Sequence, residues 1–130
     1  MKIDKFEDIK AWQEAPNLVN EVYLVCSVKA FKNDYRLVDQ IRGAAVSIMA
    51  NIAEGFDSQS NQEFIKFLIY ARRSCSEVQS HLYVALDQDY IPADKFQELY
   101  NQTKKTAQLI NGFIKYLRNP NRNPNDDKIG

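Results

Sequence analysis

The sequence predicts an all-α fold: an up-down-up-down antiparallel four-helix bundle over residues 1–118, followed by a disordered polar tail over residues 119–130. Three observations lead there. Only four glycines and four prolines punctuate 130 residues, which leaves long stretches free to be helical. Apolar side chains recur at alternating steps of three and four in four separate stretches. The connectors between those stretches are short, about three to six residues, and short connectors join antiparallel neighbours.

The first stretch runs from about Glu7 to Ala30, with a seam of Ile9, Trp12, Pro16, Val19, Tyr23, Cys26 and Ala30. Pro16 removes a backbone donor, so a bend or opened turn is expected around residues 12–16. Lys32, Asn33 and Asp34 form a polar connector with capping residues. The second seam is Leu37, Ile41, Ala44, Ile48 and Ile52, and Gly55 reads as its C-terminal cap. Ser60, with Glu63 three residues later, has the spacing of a capping box that opens the third helix. That helix carries Phe64, Leu68, Ala71, Cys75, Val78, Leu82 and Ala85, and fades at Asp87. Pro92 fits the first turn of the fourth helix, whose seam is Phe96, Leu99, Thr103, Thr106, Ile110, Phe113 and Leu117. The tail from Asn119 onward has almost nothing apolar to bury.

Two features exceed what a simple bundle needs. Ala11, Ala15, Leu18, Val22 and Val25 make a second apolar stripe on the first helix, adjacent to its seam. Ala15, Leu18, Val22 and Val25 are therefore candidates for a subunit interface, the alternative being one wide core face shared by two neighbours. On the second helix Gly43, Ala44, Ala45, Ser47, Ala50 and Ala53 crowd small side chains together, which reads as close helix packing without chemistry.

Charge and motifs narrow the function. Seventeen Lys and Arg balance seventeen Asp and Glu, so no global field draws the chain to nucleic acid or to a membrane. The acidic N-terminus has no apolar signal segment and no run is long enough to span a bilayer, so a cytoplasmic protein is expected. Cys26 and Cys75 both lie on apolar seams and are expected to be buried free thiols. No phosphate-binding glycine loop, nucleophile elbow or catalytic constellation is evident, so no enzyme activity, cofactor or small-molecule substrate is expected. A di-metal bundle site needs two Glu-x-x-His motifs, whereas this chain has one histidine, His81, four residues after Glu77. Local charge is less even: residues 91–130 carry seven bases and four acids, and no acid falls between Lys104 and Arg122. Lys104, Lys105, Lys115, Arg118 and Arg122 are thus candidate phosphate contacts for RNA or DNA, Lys104, Lys115, Arg118 and Arg122 sharing one face of the fourth helix and its extension. A merely solvated face, whose bases suit the helix C-terminus, is the other reading.

The second and third helices carry a recognisable pattern. Gln40-Ile41-Arg42, Ala44 to Ile48, and Asn51-Ile52-Ala53-Glu54-Gly55 are followed by Phe64, Phe67-Leu68, Ala71-Arg72, Ser74, Glu77, Leu82, Ala85 and Tyr90-Ile91. With the opening Phe6, Ile9, Trp12-Gln13 and Ala15, this resembles the four-helix bundle proteins encoded in 23S ribosomal RNA intervening sequences, over about residues 6–118. The family is similar to the accessory variability protein of diversity-generating retroelements, a five-subunit ring that binds nucleic acid and a reverse transcriptase. The resemblance implies a non-catalytic homopentamer with an RNA or DNA surface, or a scaffold that docks a protein such as a polymerase. One departure is Gly43, where the family often has a second base after Gln40-Ile41-Arg42; the retroelement protein is also strongly basic, and this chain is neutral. The motif residues Gln40, Arg42, Asn51, Glu54, Gly55, Arg72, Ser74 and Glu77 are expected to be structural. Glu54 is expected to pair with Arg72 or Arg73, while Asn51 or Ser74 bonds a partner backbone.

Overall fold

The computed structural model describes residues 3–121, and the described part contains no strand. A 3₁₀ turn at Phe6–Asp8 leads into α1 (Lys10–Cys26), the short α2 (Lys29–Asn33), α3 (Tyr35–Phe56), α4 (Asn61–Asp87) and α5 (Ala93–Arg118). The expected tail falls almost wholly outside the described residues.

The first expected helix is two. Chain direction changes after Cys26, where Ser27 closes α1 and Lys29 takes a left-handed φ of 43°. Phe31 of α2 is fully buried and stacks on Tyr90 at 5.1 Å. Asp34 ties this elbow down from both sides: one carboxylate oxygen accepts from the Leu37 N–H as the α3 cap, the other from the Tyr90 hydroxyl at 2.9 Å. That hydrogen bond to Asp34 holds the Tyr90 phenol above its ordinary pKa. Pro16 lies within α1, which continues helical through it instead of opening.

The four long helices surround one core. α3 packs most extensively on α4 and α4 on α5, while α1 lies against both α3 and α5. Cross-helix pairs fix the register: Phe56 meets Phe64 and Ser47 meets Ser74 between α3 and α4, and Phe64 meets Phe113 and Tyr83 meets Tyr100 between α4 and α5. The expected seams of the second and third helices are buried throughout. On α5, Ile114 takes the core position and Phe113 is only half-buried against it. Thr103 and Thr106 enter the core with their hydroxyls donating to the carbonyls of Leu99 and Gln102, so both buried hydroxyls are satisfied. Ser60 caps α4 by accepting from the Glu63 N–H, as its spacing predicts, and Pro92 is the N-cap of α5 rather than a residue of its first turn.

Helix α1 buries its second stripe together with Ile9 and Cys26 of the expected seam, the wide core face that was the alternative to a subunit interface. Ala15, Leu18 and Val22 are fully buried and Val25 nearly so, inside a single chain, so the candidate subunit interface is core. Of the expected seam, Ile9 and Cys26 are buried, Trp12, Pro16 and Val19 are half-buried on the flank, and Tyr23 and Ala30 are exposed. The small Ala11 and Ala15 let α1 sit close to its neighbours, whereas Trp12 and Tyr23 are broad rings with a polar edge that suits a boundary.

Two glycine readings also change. Gly55 has no positive φ and is not a left-handed cap; α3 runs on to Phe56, and Asp57 and Ser58 close it by donating to the Ala53 and Gly55 carbonyls. Its role is space. A Cβ there would stand 2.8 Å from Phe64 Cδ1 and 2.9 Å from Phe67 Cβ. Gly43, expected within a close helix contact, is exposed, and a Cβ there meets nothing within 4 Å.

These environments predict opposite effects for the same substitution. Gly55→Ala should destabilise by about 1–3 kcal/mol through overpacking, and Gly43→Ala should stabilise by about 0.5–1 kcal/mol by raising helix propensity. Urea unfolding followed by circular dichroism measures both.

Candidate nucleic-acid interface

The buried residues Leu99, Thr103, Thr106, Ile110, Ile114 and Leu117 set the rotation of α5. The opposite face then presents Lys104, Gln108, Asn111, Lys115 and Arg118 to solvent. Among the expected phosphate contacts, Lys104, Lys115 and Arg118 share this ridge. Lys105 leans the other way, with its Nζ 3.6 Å from Glu14 Oε1 of α1. Arg122 lies outside the described residues.

Helix α4 adds cations beside that ridge. Arg72 Nη1 donates to Asn111 Oδ1 at 3.0 Å, which brings a guanidinium to the middle of the α5 face. Arg73 and Lys66 each lie 6.0 Å from the Tyr70 ring on the next flank of α4. The sequence reading placed Arg72 with the structural motif residues, yet its charge belongs to the basic face. Helical phase carries the signal: Arg72 follows the core residue Ala71 by one position, which turns it toward α5.

The motif residues form less of a network than expected. Glu54 and Glu77 are exposed, and among the described residues Glu54 takes part in no ion pair with Arg72 or Arg73. Glu77 lies 3.4 Å from His81 on its own helix. The buried Ser74 donates across the α3–α4 seam to the Ser47 hydroxyl at 3.1 Å. Asn51 Nδ2 donates to the Ser47 carbonyl and hydroxyl, both at 2.9 Å, so it bonds its own helix rather than the neighbouring backbone. Gln40 is exposed, and Arg42 lies 4.0 Å from the centre of the Tyr23 ring, a cation–π contact that joins α3 to α1.

Other chemistry finds little support. Among the described residues no group of His, Cys, Asp and Glu is arranged to hold a metal ion. An apolar cleft of about 320 Å³ lies between the N-terminal segment and α5, against Ile3, Ile9, Leu109 and Phe113. Burial pushes the Cys75 thiol up to about 12; it also pushes Cys26 up to about 11, against the opposing pull of nearby Arg42. Both are free thiols, protonated at neutral pH, unlike the thiolate a nucleophile requires. No helix among the described residues is long and apolar enough to cross a membrane.

Core and surface together define an all-helical protein whose internal polar groups serve packing and whose most distinctive surface is a cation-rich helix pair. Residues 7–112 match the family described as 23S rRNA-intervening sequence protein, and the chain belongs to that family. Its fold is similar to the crystal structure of a protein with unknown function from the S23 ribosomal protein family of Bacteroides thetaiotaomicron. The two are 24% identical with a TM-score of 0.74, over 81% of this chain and 95% of the other. No curated protein matches the chain.

The raised thiol pKa values predict inertness. Native protein at pH 8 should leave both Cys26 and Cys75 unmodified by Ellman's reagent over minutes, and guanidinium unfolding should release two reactive thiols; rapid native labelling of either would contradict its burial.

Proposed function

We propose that this chain is a non-catalytic, cytoplasmic nucleic-acid-binding protein that works as a homo-oligomer of up-down-up-down four-helix bundles. The observation that carries the reading is the acid-free face of α5 from Leu99 to Arg118, where exposed Lys104, Lys115 and Arg118 line up beside Arg72 of α4. Cations on one ridge can neutralise successive phosphates and release their counterions, which makes affinity salt-dependent. Repetition of the face around an oligomer raises avidity without new contacts. A neutral chain suits this arrangement, because binding then depends on the face and not on net charge.

The self-association surface in this reading is the flank of α1 and α3, not the buried stripe of α1. Trp12, Val19 and Met49 are half-buried there, and Tyr23 and Val46 are exposed. A strip of that kind favours a protein partner. A further copy of the chain is the occupant, five copies being what the resemblance to the retroelement protein implies. The alternative is a scaffold whose strip docks a different protein, such as a polymerase, without touching nucleic acid.

Two measurements separate these readings. The combined change of Lys104, Lys115 and Arg118 to Ala should weaken RNA or DNA binding and flatten the slope of log affinity against log salt by about 2–3; unchanged binding would exclude the basic face. The native mass should be a multiple of 15.1 kDa, and Val46→Glu should return it to a folded single chain. An oligomer unaffected by Val46→Glu would exclude the strip as its contact, and a single-chain mass without the substitution would exclude self-association.

A further inference from the structure

The basic face does not stand alone: it borders a groove between α4 and α5 that also holds aromatic rings. Along α4 the groove side carries Arg72, Ser76, Gln79 and Tyr83, at helical steps of four, three and four. Along α5 it carries Tyr100, Lys104, Asn111, Lys115 and Arg118. Two ties establish that these sides face one another: the Arg72–Asn111 hydrogen bond at 3.0 Å and the Tyr83–Tyr100 ring contact at 5.9 Å. From Tyr100 to Arg118 the groove is about 27 Å long, at the helical rise per residue.

Tyr83 is the unusual member. It is 51% exposed, although its ring packs at 4.8 Å on the buried Phe96. Packing against Phe96 and Tyr100 holds the ring in place while much of it faces solvent. A held, half-exposed aromatic ring against Tyr100, which itself lies one helical turn before Lys104, is poorly explained by stability alone, because a polar side chain would cover Phe96 with less apolar surface left in water. Duplex nucleic acid offers such a ring nothing, since its bases are stacked on one another. A single strand offers unstacked bases, and base–aromatic stacking beside backbone-tracking cations is how single strands are held.

We propose that the α4–α5 groove binds single-stranded nucleic acid, with phosphates along Arg72, Lys104, Lys115 and Arg118 and a base stacked on Tyr83. This rests on the nucleic-acid reading above and specifies its substrate class. Acids are confined to one end of the path: α5 has none from Leu99 to Arg118, Glu77 is turned to the other side of α4, where His81 joins it beside Gln40 of α3, and exposed Asp87 lies one turn beyond Tyr83, past the end of the cation row.

The test measures fluorescence anisotropy of the whole protein with a labelled 20-nucleotide oligothymidine and with a 20-base-pair duplex, at one fixed salt concentration. The single strand should bind more tightly. Tyr83→Leu, which keeps an apolar contact on Phe96 but lacks a π face, should weaken single-strand binding about 5- to 100-fold and leave the duplex unchanged. Tyr83→Phe should restore it. Duplex binding as tight as single-strand binding, or a Tyr83→Leu variant that binds the single strand like the original, overturns the groove assignment while the basic face stands. Absence of binding to both probes overturns the basic face and the groove together. Unchanged circular dichroism and melting temperature of Tyr83→Leu confirm that lost binding is not lost fold.

Discussion

The approach of α3 to α4 at Gly55 is the constraint on which the rest of the fold depends. With no Cβ at that position, the Phe64 ring and the Phe67 Cβ come to distances that any other residue would occupy. Phe64 then reaches Phe56 on one side and Phe113 on the other, so one aromatic side chain joins α3, α4 and α5 at the same end of the molecule. Farther along the seam the contact is small and polar, with Ser74 bonded to Ser47 and Asn51 bonded to that same serine. Both kinds of contact need short side chains. The α3–α4 pair is thereby set in register, and α5 packs onto it through the Phe64–Phe113 contact.

That rotation produces the surface chemistry. Once Leu99, Thr103, Thr106 and Ile110 face inward, Lys104 and Lys115 have only solvent to face, and Arg72 meets Asn111 across the groove. The charged groups therefore contribute little to holding the helices together. The visible ion pairs are exposed or half-exposed, such as Lys95 with Glu21 at 3.1 Å, and pairs of that kind stabilise by about 0–1 kcal/mol. Stability rests on apolar burial, at about 1.5–3 kcal/mol for each large side chain. The exposed charges of the basic face thus add little to the stability of the fold.

Much of this was legible in the residues, and the exceptions have physical causes. The seams of the second and third helices, and that of the fourth except at Phe113, were readable because each has one main apolar stripe. On α1, two adjacent stripes are both apolar, and periodicity carries no information about which of their residues point inward. Side-chain size decided it, because Ala11 and Ala15 fit between neighbours while Trp12 and Tyr23 do not. Gly55 was misread for a related reason: glycine near a helix end signals a left-handed cap, but it equally permits close contact with a later segment. Arg72 was visible as a motif residue, but only the rotation of α4 against α5 revealed its place on the basic face.

By itself the sequence determined an all-helical chain, the extent of its three later helices, two buried thiols and a fourth helix with an acid-free stretch, because each of these follows from local spacing and composition. Only the tertiary structure decided which residues of the two α1 stripes are core, why Gly55 must be small, and that Arg72 and Tyr83 share a groove with the lysines of α5. Those outcomes depend on contacts between residues from about 10 to 90 positions apart, and such contacts are set by packing volume, which a single helix's periodicity does not encode.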